Sequence, residues 1–178
     1  MLDGEKLIIE SAVKGEASAF GLLYDHYQPQ IYRFVFVKVG RREEAEDLTH
    51  QVFLNAWQNV HSYKHLGFPF SSWLYQIARN LVIDHYRVKK PEVGLETVEA
   101  EFAVAATDSE SLAEHNLILR EVTVAIRELK PLYQDIVIMR FVEELSLKET
   151  AAALNKTEGA VKLLQHRAIK QLKESLKK

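Results

Sequence analysis

The sequence predicts an all-α protein of two small helical domains, over residues 1–90 and 115–178, joined by an acidic linker over 91–114. Three observations lead there. Apolar residues recur at three- and four-residue steps through both outer parts, the period of a helix buried on one side. Between them Pro91, Gly94 and the acids Glu92, Glu96, Glu99, Glu101, Asp108 and Glu110 interrupt that period. A chain of 178 residues with 47% hydrophobic and 27% charged content has the composition of a globular protein and the length of one ordinary domain or two small ones.

Leu7, Ile8 and Ala12 mark a first helix that breaks at Gly15, and Phe20, Leu23, Tyr24 and Tyr27 begin a second. Ile31, Tyr32, Phe34, Val35 and Val39 carry the apolar pattern to Gly40, a helix-ending residue because it takes a left-handed backbone without penalty. The aromatics here are read as core. In the next helix Ala45, Leu48, Val52 and Ala56 form the buried stripe. Asp47, His50, Gln51 and Leu54, at i, i+3, i+4 and i+7, make a second strip of mixed polarity suited to a protein partner.

A loop with Tyr63, Lys64, Phe68, Phe70 and Trp73 follows. Leu74, Ile77, Ala78, Leu81 and Val82 then face the core of a fourth helix, which offers Arg79, Asn80, Asp84 and Arg87 outward. Cations interleaved with flat rings suit single-stranded nucleic acid, since phosphates need positive charge and unstacked bases need a surface. Trp73, at the helix start, is read as packing rather than as a base platform.

Beyond the linker Leu117, Val124, Ile126 and Leu129 define one helix, and Pro131 opens another whose core residues are Ile136, Val137, Met139 and Phe141. Ser146 with Glu149 three residues on is a capping box for the short helix LKETAAAL. After the turn Leu154-Asn155-Lys156, Thr157 caps a last helix with Val161, Leu164, Ala168 and Leu172 inward. A short helix, a tight turn and a second helix form a helix-turn-helix, whose second helix presents its N-terminal side chains to the DNA major groove.

Thr157, Glu158, Lys162, Gln165 and His166 are the candidate reading set: an acid accepts from cytosine, Lys donates to guanine, and Gln pairs with adenine. Arg167, Lys170 and Lys173 are placed for phosphates, which position the protein without specifying sequence. The charge distribution agrees. The net charge of −2 conceals +4 over residues 64–90 and +5 over 145–178, separated by a stretch, 91–119, with seven acids and no Lys or Arg.

With no cysteine there is no disulfide framework and no cysteine zinc site. No apolar run approaches the roughly 20 residues that cross a bilayer, and the N-terminus lacks the basic start and long apolar core of a signal peptide. A cytoplasmic location without membrane insertion is expected. Asp47 and His50 have the i, i+3 spacing of helical-bundle metal pairs, but such centres need a second motif and inward-facing glutamates. Neither a phosphate-cradling glycine loop nor a Gly-x-Ser-x-Gly elbow is present. No cofactor and no enzymatic activity are expected.

Two stretches carry a family resemblance. Asp47-Leu48-Thr49-His50-Gln51-Val52-Phe53 and Trp73-Leu74-Tyr75-Gln76-Ile77-Ala78-Arg79-Asn80 resemble the second conserved region of bacterial RNA polymerase sigma factors of the extracytoplasmic-function (ECF) group, with departures at His50, Gln51 and Gln76. LSLKETAAALNKTEGAVKLLQHRAIKQL is similar to the fourth region of the same group, with Gly159, Val161 and Lys162 in register.

The resemblance implies a promoter-specificity subunit. Asp47, His50, Gln51 and Leu54 would bind core RNA polymerase; Lys64, Phe68, Phe70, Arg79, Asn80, Asp84 and Arg87 would hold the downstream promoter element. Thr157, Glu158, Lys162, Gln165, His166 and Arg167 would read the upstream element. It also implies a linker that enters the polymerase's nucleic-acid channel, and an anti-sigma factor as a further partner. A tether of about 25 residues spans on the order of 25 to 30 Å relaxed and about 80 to 90 Å drawn out, enough to join modules one or two DNA turns apart. The rival reading is a two-domain regulator that binds an operator without polymerase.

Overall fold

The computed structural model describes residues 4–64, 68–88 and 110–177, with side chains of 110–117 outside the description. Lys89, Lys90, linker residues 91–109 and the Leu117 side chain therefore lie outside the described residues. Among those described the chain is helical, with no strand.

The N-terminal half is a bundle of α1 (Glu5–Val13), α2 (Ala17–Val39), α3 (Arg42–Asn59) and α4 (Phe70–Val88), with a tight 3-10 turn at Val60–Ser62. α2 is the central element. Its Leu23, Tyr27, Ile31, Phe34 and Val35 are buried against Val52, Phe53 and Ala56 of α3 and Leu74, Tyr75, Ala78 and Val82 of α4. Gly15 and Gly40 end α1 and α2 with φ of 93° and 76°, a conformation that only glycine adopts without strain. The Gly40 N–H donates to the Phe36 carbonyl at 2.8 Å, closing the helix end.

The C-terminal half comprises α5 (Glu110–Arg127), α6 (Pro131–Val137), α7 (Leu147–Leu154) and α8 (Glu158–Ser175). Pro131 is the first residue of α6. The expected capping box is present: the Glu149 N–H donates to Ser146 Oγ at 3.2 Å and the Ser146 N–H to Glu149 Oε2 at 2.7 Å. Asn155 makes the turn with a left-handed backbone, φ 51°, and Thr157 Oγ1 accepts from the Ala160 N–H at 3.2 Å.

Phe141 corrects the expected core. The helix widens into a π turn at Ile138–Val142, which shifts the phase so that Ile138 and Met139 stay inside while Phe141 and Val142 turn outward.

The two halves pack together through α4 on α7 and α2 on α5. Arg127 of α5 reaches the end of α2, where its Nε donates to the Val37 carbonyl at 2.8 Å and its Nη2 to Phe36 at 3.3 Å. A cation at the carbonyl end of a helix complements the helix dipole. Gly40 makes this possible, since a Cβ there would lie 2.2 Å from the Arg127 guanidinium.

Candidate polymerase and nucleic-acid interfaces

α3 turns Ala45, Thr49, Val52, Phe53 and Ala56 inward, and Thr49 Oγ1 donates to the Ala45 carbonyl at 2.6 Å, so its hydroxyl is satisfied within the helix. The rotation that buries this stripe leaves Asp47, His50, Gln51 and Leu54 exposed together. Gln51 Nε2 donates to Asn55 Oδ1 at 2.8 Å, a bond along the surface. Trp57, three residues beyond Leu54, extends the strip: 37% exposed, it rests on Phe20 with ring centres 5.0 Å apart. Its spacing from Leu54 could have disclosed it in the sequence. No group of three or more His, Cys, Asp or Glu that could hold a metal occurs among the described residues.

The second surface is more unevenly displayed. Lys64, Asn80, Asp84 and Arg87 are exposed, and Arg87 Nη1 approaches Asp84 Oδ1 at 3.4 Å. Phe68 presents part of its ring, with Lys148 Nζ of α7 5.9 Å above its centre. Loop residues 65–67 lie outside the described residues.

Phe70 is enclosed, with its ring 5.9 Å from Tyr27, 5.2 Å from Tyr63 and 5.3 Å from Trp73. It sits at the first position of α4, whose first turn is driven into the bundle, and here it supports Tyr63 and Trp73 rather than offering a face. Trp73 is half-buried in the same cluster, 5.2 Å from Tyr63 and 5.3 Å from Phe70 between ring centres. Burial, with Glu5 nearby, pushes the Tyr63 hydroxyl up to about 12.

Arg79 does not join the solvent-facing set of α4. Its Nε donates to Asp135 Oδ2 of α6 at 2.7 Å.

The third surface is the start of α8. Glu158, Lys162, His166 and Arg167 are exposed beside the Thr157 cap. Gln165 is half-buried and its Oε1 accepts from Arg140 Nε at 2.9 Å, leaving the amide nitrogen as its remaining polar group for a ligand. Leu163, outside the sequence-predicted set, is 53% exposed between Lys162 and His166. An apolar side chain there suits a thymine methyl group. The signal was its place four residues after Gly159, outside the buried stripe.

A helical bundle with an aromatic, basic loop, coupled to a helix-turn-helix, defines a sigma-70-type transcription factor. The sigma-70 region 2 family model matches residues 23–92 and the sigma-70 region 4 model matches residues 119–172. The chain is 32% identical over 178 residues to the ECF RNA polymerase sigma factor SigW of Bacillus subtilis (strain 168), covering 95% of each. It is 40% identical over 167 residues to the ECF RNA polymerase sigma factor BldN of Streptomyces coelicolor, covering 93% of this chain but 63% of that protein.

The chain belongs to the ECF sigma factors of RNA polymerase, and promoter recognition as a polymerase subunit is the function of that class. The operator-binding regulator is thereby not favoured, because it leaves the region 2 match without a purpose. In fold the chain is similar to CnrH, solved in complex with the cytosolic domain of CnrY, with a TM-score of 0.75 over 97% of both chains at 20% identity.

Proposed function

We propose that this sigma factor divides promoter recognition among the three surfaces. The exposed α3 strip of Asp47, His50, Gln51 and Leu54, extended by Trp57, docks on core polymerase. The N-terminal part of α8, with Thr157, Glu158, Lys162, Leu163, Gln165 and His166, reads the upstream element in the major groove, and Arg167 holds phosphate. Lys64, Phe68, Asn80, Asp84 and Arg87, joined by Arg79, hold the downstream element as it opens, on the platform that Phe70 supports. The observation that carries the reading is the separation of these surfaces onto different helices, within a chain that matches both sigma regions.

Extruding a base costs a few kcal/mol, and stacking it on an aromatic returns about 1–3 kcal/mol, so the loop offsets much of the melting cost. The chain makes and breaks no bond; catalysis stays with core polymerase. Residues 1–90 serve polymerase and the downstream element, 115–178 the upstream element, and 91–114 tether them, with 110–114 already in α5. We place the protein in the cytoplasm, and no helix of the described residues is long and apolar enough to cross a membrane. An anti-sigma factor is a further partner, one that would occupy the polymerase and DNA surfaces and withhold them.

Run-off transcription by core polymerase on a pool of upstream DNA tests the reading. Specific start sites are expected only when the protein is added. Core that ignores the protein, while the protein alone shifts a defined duplex, would return the regulator reading.

A further inference from the structure

Among the polar contacts between the two halves, one engages a residue assigned to DNA, Arg79. Asp135 of α6 is completely buried, yet both its oxygens serve the N-terminal bundle: Oδ1 takes Lys38 Nζ, and Oδ2 takes Arg79 Nε at 2.7 Å. A buried carboxylate is tolerated only with such partners. Lys38 is equally enclosed, and its ammonium lies 5.3 Å from the centre of the Phe34 ring. Burial pushes the Lys38 pKa down, while Asp135 pulls the other way. Arg33 and Glu143 add a two-bond ion pair at 3.0 and 2.8 Å, and Ser72 Oγ donates to the Glu149 carbonyl at 3.1 Å.

Closure also brings the two DNA surfaces face to face. A cleft of about 640 Å3 has Lys64 and Phe68 of the downstream set on one wall and Thr157 and Glu158 of the upstream set on the other. Promoter elements one or two turns apart are separated by about 34–36 Å per turn. Surfaces that share one cleft cannot engage both elements at once.

We propose that Asp135 is the latch of a closed, promoter-blind form of this sigma factor, and that promoter binding requires Arg79 to exchange the Asp135 carboxylate for a DNA phosphate. The proposal rests on the reading of Arg79 as a downstream-promoter contact. The latch joins a residue of the polymerase-side domain to the helix-turn-helix domain across 56 positions of sequence, so it bears directly on how the two domains are arranged.

The test uses the full chain. Because it has no cysteine, Leu22→Cys and Glu174→Cys, both exposed, give one dye site on α2 and one on α8 for energy transfer. Binding of an unlabelled sample to a short fluorescein-tagged oligo(dT) is followed by anisotropy. In Asp135→Asn, energy transfer should fall and affinity for oligo(dT) should rise by about tenfold, the gain expected when a rare competent form becomes the common one. Unchanged energy transfer would overturn the latch. Reduced transfer with unchanged affinity would overturn the inhibitory role, whereas oligo(dT) affinity left unchanged by adding Arg79→Gln to Asp135→Asn would overturn the assignment of Arg79 to DNA. The double variant Lys38→Met, Asp135→Leu removes both buried charges together and gives the same readouts if Asp135→Asn fails to fold.

Discussion

α3 and α4 are neighbours in one bundle, built on the same amphipathic plan, and they display their outward residues differently. On α3, Asp47, His50, Gln51 and Leu54 all stand exposed to solvent, and Gln51 is bonded only along its own helix to Asn55. On α4, Asn80, Asp84 and Arg87 are open, but Arg79 is bound to Asp135 and Phe68 lies under Lys148. The surface proposed for polymerase is thus open to solvent, whereas the one proposed for DNA depends on where the second half sits. The pattern of a helix tells which residues leave its core; neighbouring elements decide whether they reach solvent.

The comparison breaks most visibly at Asp135. Asp135→Ala should cost about 3–5 kcal/mol by leaving Lys38 buried without its counter-charge, whereas Asp47→Ala, on the open strip, should stay within about 0.5 kcal/mol of the parent; urea unfolding of both variants measures the contrast. On α8, Lys162→Ala should lose about 1–3 kcal/mol of discrimination at one upstream base, seen in competition between promoter variants. A uniform loss across sequences would make Lys162 a phosphate contact.

Asp47→Ala with Gln51→Ala should weaken core polymerase binding by about 1–2 kcal/mol, the scale of a solvent-facing interface contact, with no change in energy transfer between the halves. Unchanged affinity would remove α3 as the docking element.

The smallest effect is on pH. Burial raises the Glu143 carboxyl above its ordinary value of 4.5, while Arg33 opposes the shift and the nearby Tyr75 hydroxyl is itself pushed up by burial and by Glu143. A raised acid takes up a proton more readily in the closed form. Its contribution to closure is therefore complete below about 4.5 and is lost as pH rises through the raised value. Energy transfer should increase modestly as pH falls from 7 toward 5, and Glu143→Gln should flatten that response.

The helix boundaries were largely legible because their causes are local. Gly15 and Gly40 end helices through backbone conformation, and Ser146 with Glu149 and Thr157 start them through side-chain caps. The exposed strip on α3 followed from the helical period alone. What the period could not convey was a change of period: the π turn at Ile138–Val142 turned Phe141 outward. Nor could it convey contacts made between halves. Arg79 read as an outward residue of its helix and Asp135 carried no reading, and only the packing of the two halves gives them to one another. Gln165 was readable as exposed until Arg140, 25 residues earlier, claimed its carbonyl.

The pairing of Arg79 also bears on salt. Free cationic side chains draw condensed counterions off a nucleic acid, and each such contact steepens the salt dependence of binding, by about 0.7 in the logarithmic slope for a single strand. Arg79 arrives with a carboxylate already bound, so its transfer to phosphate is an exchange of one anion for another, and the Asp135 left behind must find its own cation. Closed chain should therefore bind single-stranded DNA with a shallower salt response than the Asp135→Asn variant. The latch would set how sharply promoter engagement follows the ionic strength around it.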